Sequence, residues 1–166
     1  MTDVPSKSES ISNHVPWSKG KIVGAKPPLR PKHVWYIRTK LQVEGRTRDL
    51  ALFNVAIDSK LRGCDVVALK VDEVAPSGYA ADRASVRQKK TGRPVKFELA
   101  ELTRTGKKPG EYLFSGRRGS ERSLTARQYA RPFSDWLDGI GLDPDLFGTH
   151  SLRRTKATLI DRRLAT

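Results

Sequence analysis

The sequence predicts a mainly α-helical domain that carries one small antiparallel β-hairpin, an α+β fold. Apolar residues recur at helical spacing in three segments that begin near residues 34, 50 and 129. Two short alternating segments flank Thr91-Gly92, which is the pattern of a β-hairpin. A chain of 166 residues, 37% of them hydrophobic, is long enough for one ordinary domain with a modest core.

The first part of the chain is predicted to be an arm followed by helices. Residues 1–32 contain five prolines and no sustained periodicity, so we expect a mostly disordered arm. A short helix is predicted over 33–43. Thr47 is the expected N-cap of a longer helix with an apolar face over 50–61. Residues 62–65 interrupt this pattern, which predicts a sharp joint before a short helix.

The β-structure is predicted in the middle of the chain. Residues 71–74 are expected to form a short strand. Residues 83–88 and 94–99 alternate on either side of the glycine turn and should form the hairpin, whose tip is unusually basic. A helix over 98–106 is expected to follow.

The last part of the chain is predicted to be a loop and two helices. Residues 107–123 are expected to be loop-rich, with 112–114 as a buried anchor. Thr125 should cap a helix that ends near residue 139. The final helix is predicted over 150–163, which completes a folded domain that starts at residue 33.

The net charge is strongly positive and unevenly placed. The chain holds 32 Lys and Arg against 18 Asp and Glu, a formal charge of +14. Residues 83–131 hold fourteen basic and four acidic residues, and residues 149–163 hold five and one, so all of the excess lies there. A localised basic excess is typical of proteins that bind a polyanion, most often nucleic acid. The alternatives are a solubilising surface and a surface for anionic membranes.

Several classes of protein are excluded by what the sequence lacks. No window approaches eighteen continuous apolar residues, so no transmembrane helix is expected. We also expect no secretory signal, because the first thirty residues contain no apolar run. Cys64 is the single cysteine, which excludes an internal disulfide and a cysteine-based zinc site and favours a reducing cytoplasm. The three histidines are scattered, so we expect no metal or other cofactor.

Four residues on the predicted elements could support phosphoryl transfer on DNA without a metal. Arg62 lies at the helix joint and Lys90 on the hairpin turn, whereas His150 and Arg153 share one helix face at i and i+3. Guanidinium groups can clamp the non-bridging oxygens of a phosphodiester. An ammonium group can protonate a leaving oxygen, and an imidazole can relay protons. These four are the candidate catalytic residues.

Three segments, taken in order, resemble the catalytic domain of the tyrosine recombinases, the phage integrase family. They are residues 50–69 (LALFNVAIDSKLRGCDVVAL), 88–94 (QKKTGRP) and 148–156 (GTHSLRRTK). The resemblance spans roughly residue 32 to the end of the sequence. It implies the fold of that catalytic domain.

The family's active-site residues match the same candidate positions. Arg62 matches its first catalytic arginine, with Asp65 in the acidic position that follows it. Lys90 matches the hairpin lysine before a Thr-Gly turn, and His150 with Arg153 matches the His-x-x-Arg box. The resemblance implies a role in DNA integration and site-specific recombination, with double-stranded DNA as the partner and neither a small-molecule cofactor nor a membrane.

The sequence departs from the family pattern after the His-x-x-Arg box. There the family has a second histidine or tryptophan and then the tyrosine that attacks DNA. None of the thirteen residues after Arg153 is Tyr, His or Trp, and we expect Tyr129, before the box, to be a core residue. We therefore expect a truncated catalytic domain that lacks its last helices, leaves the apolar face over 152–160 uncovered, and performs no covalent catalysis alone.

The alternative function is a non-enzymatic DNA-binding regulator or decoy that occupies recombination sites or partners intact recombinase protomers. An RNA-associated protein is disfavoured, because few aromatic residues accompany the basic ones for stacking on bases. Both DNA hypotheses predict a protein from a mobile element, associated with the nucleoid in the cytoplasm. The residues expected to contact DNA are Arg87, Lys89, Arg93, Arg117, Arg118, Arg154 and Lys156.

Overall fold

The computed structural model describes residues 24–75, 83–98, 107–116 and 119–164. Within these ranges the chain forms six α-helices, one 3₁₀ turn and two separate two-stranded antiparallel sheets. This architecture confirms the predicted α+β fold class. No helix in the described ranges is both long enough and apolar enough to cross a membrane.

Helix α1 spans Pro31–Val43 and begins two residues earlier than the sequence pattern predicts. Proline fits the first turn of a helix, where its missing N–H is not needed. Val34, Ile37 and Leu41 are buried on one face of the helix, as their spacing predicts. Gly45 follows the helix with φ +65°, a left-handed conformation that glycine adopts without strain.

Helix α2 spans Thr47–Asp58 and buries six consecutive residues in its second half. The prediction that Thr47 is the N-cap is wrong, because Arg46 occupies that position and no side chain caps the helix. Arg46 instead acts within the first turn, where its Nε donates to the Asp49 carboxylate at 3.0 Å. The start of α2 therefore carries an ion pair between Arg46 and Asp49 and no side-chain cap.

The predicted joint and short helix follow α2. Lys60 has φ 53°, the left-handed region, and this residue redirects the chain. Arg62 then occupies the N-cap position of helix α3, which spans Gly63–Val67. Asp65, in the first turn of α3, is buried.

Residues 71–74 form one helical turn, α4 (Val71–Val74), and the prediction of a strand there is wrong. The Glu73 carboxylate accepts the backbone N–H of Lys70 at 2.9 Å and so closes the turn. Val71 and Val74 are both buried, at the i and i+3 spacing of a helix. The capping carboxylate therefore outweighs the preference of the two valines for a strand.

Strands β1 (Arg83–Arg87) and β2 (Pro94–Glu98) pair antiparallel and form the predicted hairpin. Ala84 and Val86 are buried between exposed neighbours, which gives β1 its alternation. Gly92 has φ +64° and donates its N–H to the backbone oxygen of Gln88 at 2.8 Å, closing the tip. Except for residue 98, the predicted helix over 98–106 lies outside the described residues.

A second small hairpin lies in the segment predicted to be loop-rich. It pairs β3 (Ser115–Gly116) with β4 (Gly119–Ser123), with an irregular register. Leu113 and Phe114, just before β3, are buried, which confirms two residues of the predicted anchor. Tyr112, the third, is half-buried and bridges to Lys70.

Helix α5 spans Ala126–Asp138 and is capped by Thr125 as predicted. The Thr125 hydroxyl oxygen accepts the N–H of Gln128 at 3.2 Å, and the Gln128 side-chain oxygen accepts the N–H of Thr125 at 2.9 Å. This reciprocal pair satisfies two backbone donors at the helix start. Tyr129, Phe133, Trp136 and Leu137 are buried along the predicted apolar stripe.

Helix α6 spans Thr149–Leu164 and packs against α2. The 3₁₀ turn Pro144–Leu146 leads into it. Leu152, at the start of the face expected to be uncovered, is only 1% exposed, so that expectation fails at this residue. Helix α6 packs against α2, and Leu152 is part of the buried hydrophobic core.

The end of the predicted disordered arm is folded against α6, and we call residues 24–30 the strap. Leu29 is fully buried, and its N–H donates to Thr155 Oγ1 at 3.0 Å. Lys26 Nζ donates to two backbone carbonyl oxygens just before α6, at 2.9 and 2.6 Å. The expectation of disorder is wrong for the strap, because one buried leucine and these hydrogen bonds hold it. Residues 1–23 lie outside the described part.

Candidate functional site

Arg62 is placed beside the start of α6 by the glycine that follows it. A Cβ added at Gly63 would lie 3.2 Å from Tyr129 Cε1 and 3.6 Å from Thr149 Oγ1. The missing side chain therefore allows α3 to approach α5 and the first residue of α6. Arg62 precedes Gly63 and His150 follows Thr149, so the approach of these two residues brings Arg62 and His150 close although they are far apart in the sequence.

His150 and Arg153 lie in the first two turns of α6. His150 is exposed and Arg153 is half-buried. Their i and i+3 spacing places them on one face of the helix, as predicted. The positive end of a helix dipole also lies here and favours anions. The start of α6 thus presents two nitrogen-bearing side chains near the joint that carries Arg62.

The hairpin tip is tied to α3 at two points. Arg62 Nη1 faces Gln88 Oε1 at 3.5 Å, the outer limit of a hydrogen bond. Asp65 Oδ1 accepts the backbone N–H of Lys89 at 3.2 Å. Lys90, the next residue, is exposed at the tip. These contacts bring the hairpin lysine to the same part of the fold as the first arginine.

The site is rich in positive charge. Within the described part of the chain, the side chains of Lys90, His150 and Arg153 form no ion pair or hydrogen bond. The nearby carboxylate of Asp65 is 3% exposed, and its Oδ2 has no hydrogen-bond partner among the described residues. No described carboxylate pairs with Lys90 or Arg153, so the positive charges of these two side chains remain available to an anion.

Tyr129 is a core residue, as predicted. It is 1% exposed, and burial raises the pKa of its hydroxyl. Its ring packs where a side chain at position 63 would otherwise stand. Tyr129 therefore positions α3 and does not present a nucleophile to solvent.

The residues expected to contact DNA fall into two regions. Arg154 is exposed on α6, and its Nη1 donates to the backbone oxygen of Lys26 in the strap at 3.0 Å. Lys156 is half-buried instead, with its Nζ 2.9 Å from Asp58 Oδ1.

On the hairpin, the exposed members of the set are Arg87, Lys89 and Arg93. Arg117 and Arg118 lie outside the described residues.

Two residues of this region were missed by sequence reasoning. Gln88 contacts Arg62, and its place just before the Lys-Lys-Thr-Gly run was the available signal. Asp58 accepts hydrogen bonds from both Lys156 and Arg38, at 2.9 and 3.4 Å. No local pattern could have paired Asp58 with a residue so distant in the sequence.

No protein-family model matches the sequence, and no curated protein matches it. Solved structures do match. XerA recombinase superposes with a TM-score of 0.64 and 20% identity, over 84% of this chain and 52% of that one. The XerH site-specific recombinase, bound to its difH substrate before cleavage, gives a TM-score of 0.63 and 16% identity, over 86% and 46%.

Lambda integrase bound to DNA gives a TM-score of 0.56 and 17% identity, over 84% of this chain and 53% of that one. The chain thus spans about half the length of these structures. The similarity covers most of the present chain in each comparison. The chain therefore has the catalytic-domain fold of the tyrosine recombinases, as its three sequence segments implied.

Proposed function

We propose that this chain binds duplex DNA and holds a phosphodiester among Arg62, Lys90, His150 and Arg153. The observation that carries the proposal is that three segments remote in the sequence lie close together. They are the joint at Arg62, the hairpin tip and the start of α6. The close approach of Gly63 to α6 and the contacts between α3 and the hairpin tip support a single site. Three cationic side chains beside an imidazole that can donate a hydrogen bond are suited to a phosphate.

Each residue has a role that its chemistry supports. Arg62 and Arg153 would donate paired N–H groups to the non-bridging oxygens. Lys90 would donate a proton to the oxygen that leaves when the DNA strand is cut. His150, at the positive end of α6, would stabilise the charge that develops on the phosphate.

The class of reaction proposed is site-specific DNA recombination. Lambda integrase, which shares the fold, is bound to DNA in its structure, and the XerH site-specific recombinase is bound to its difH substrate. The +14 charge of this chain fits a DNA partner. No tyrosine follows Arg153 in the 166 residues. We therefore propose that these 166 residues form no covalent DNA adduct by themselves.

Binding to a fluorescent duplex tests the proposed partner. We expect the affinity to fall by orders of magnitude between about 50 and 200 mM salt, since phosphate contacts release counterions. Removing Lys89, Lys90 and Arg93 together should reduce the slope of log K against log salt by about one per lost contact. Lys32→Ala, an exposed lysine on α1, is the control. An affinity that did not respond to salt would exclude the proposal.

A nicked suicide duplex separates the recombinase from the non-enzymatic alternative. The chain alone should give no band of trapped DNA in a denaturing gel. If an intact recombinase is added as the source of tyrosine, the recombinase hypothesis predicts more adduct with the wild type than with Arg62→Ala. Tight binding without any such stimulation would favour a DNA-binding regulator.

A further inference from the structure

Gln88 joins the hairpin turn to the guanidinium of Arg62. It is 9% exposed, and its backbone N–H donates to the oxygen of Arg93 at 3.1 Å across the turn. Its side-chain Oε1 accepts the hydroxyl of Thr91 at 2.9 Å and faces Arg62 Nη1 at 3.5 Å. One oxygen atom is therefore shared between the turn and the arginine.

We propose that Gln88 is a positioning residue for Arg62 in phosphate binding, an inference that rests on the function proposed above. The Thr91 hydroxyl fixes the orientation of the Gln88 amide, because it donates to the oxygen and so keeps that oxygen turned toward Arg62. A guanidinium has five N–H donors in a fixed geometry. One of them directed at Gln88 restricts the rotation of the group and leaves the others for a phosphate.

The neutrality of the amide matters as much as its position. A carboxylate at position 88 would attract the guanidinium more strongly, but it would also neutralise it and repel a phosphate. The acidic residue nearby, Asp65, is bonded to the backbone of Lys89 instead. The site thus orients its arginine with an uncharged acceptor and directs its buried carboxylate to the hairpin backbone.

The arrangement also couples two of the proposed phosphate ligands. Gln88 closes the turn that carries Lys90, and the same side chain faces Arg62. A shift of the hairpin tip would therefore move the contact that orients the arginine. Gln88 makes Arg62 and Lys90 respond to DNA as one unit.

Duplex binding by three variants tests this role. Gln88→Met keeps the length of the side chain and removes the shared oxygen, so we expect about threefold weaker binding, the size of one modest hydrogen bond. Gln88→Glu keeps both acceptor contacts and adds a charge, so we expect a larger loss than with Q88M. A purely structural role predicts the opposite order, because Q88E preserves both hydrogen bonds. Gln42→Met, on the exposed face of α1, is the matched control.

The Arg62→Ala background decides whether Gln88 acts through the arginine. We expect Q88M to cost nothing further in R62A. Equal losses in both backgrounds, or Q88E binding like the wild type, would overturn the inference while leaving DNA binding itself intact. Failure of the wild type to bind DNA would instead remove the proposed function, and this inference with it. Thermal unfolding is measured for every variant. If Q88M does not fold, Q88E is compared in the wild-type and R62A backgrounds, and a loss as large in R62A as in the wild type would overturn the inference.

Discussion

The buried carboxylate of Asp65 accepts the backbone N–H of Lys89 at 3.2 Å, so helix α3 holds the tip of the hairpin. Asp65→Ala removes the acceptor and leaves that N–H without its partner. We expect a loss of about 1–3 kcal/mol in the free energy of unfolding. Denaturant unfolding measures it, with Asp65→Asn as the control that retains an oxygen. Equal stability of D65A and the wild type would show that the contact does not hold the tip.

The strap should contribute measurably to stability through its one fully buried leucine. Leu29→Ala leaves a cavity against α6, and we expect a loss of about 2–5 kcal/mol in the free energy of unfolding. Val43→Ala, at a position that is 82% exposed, should change it by less than about 0.5 kcal/mol. Chemical denaturation of both variants measures the difference. If the two variants were equally stable, the strap would not be packed as described.

Glycine at position 63 is needed for the approach of α3 to α5 and α6. Gly63→Ala would bring a methyl group within 3.2 Å of the Tyr129 ring, so the ring or α3 must give way by a few tenths of an ångström. We expect a loss of about 1–3 kcal/mol in the free energy of unfolding, together with weaker DNA binding because Arg62 moves. Gly24→Ala is the matched control, since a Cβ there meets nothing within 4 Å. Wild-type stability and affinity in G63A would contradict this account.

Arg154 and Lys156 should differ as DNA contacts even though they are neighbours on α6. Lys156 already pairs with the carboxylate of Asp58. Among the described residues, Arg154 contacts only a neutral acceptor, the backbone oxygen of Lys26. Arg154→Ala should therefore reduce the salt slope of DNA binding by about one. Lys156→Ala should leave the slope nearly unchanged and lower stability by at most about 1 kcal/mol. The reverse order would show that Lys156 leaves Asp58 to bind DNA.

Several elements were predictable because their signals are local. The hairpin over 83–98 follows from two short alternating segments around a Thr-Gly turn, and the start of α5 follows from Thr125 as a capping residue. The turn at 71–74 was not predictable from its valines, since a single capping carboxylate decided it. The strap was not predicted, because the composition of residues 1–32 indicates disorder, whereas Leu29 is buried in the core.

The sequence by itself determined the types of most elements, the location of the positive charge, and the identity of the four candidate residues. These properties depend on periodicity, turn residues and short motifs, which are all local in the chain. Only the tertiary structure decided that Gly63 meets α6, that Gln88 faces Arg62, and that Lys156 is paired with Asp58. Such contacts join residues far apart in the chain, and their geometry depends on how the helices and the hairpin pack together.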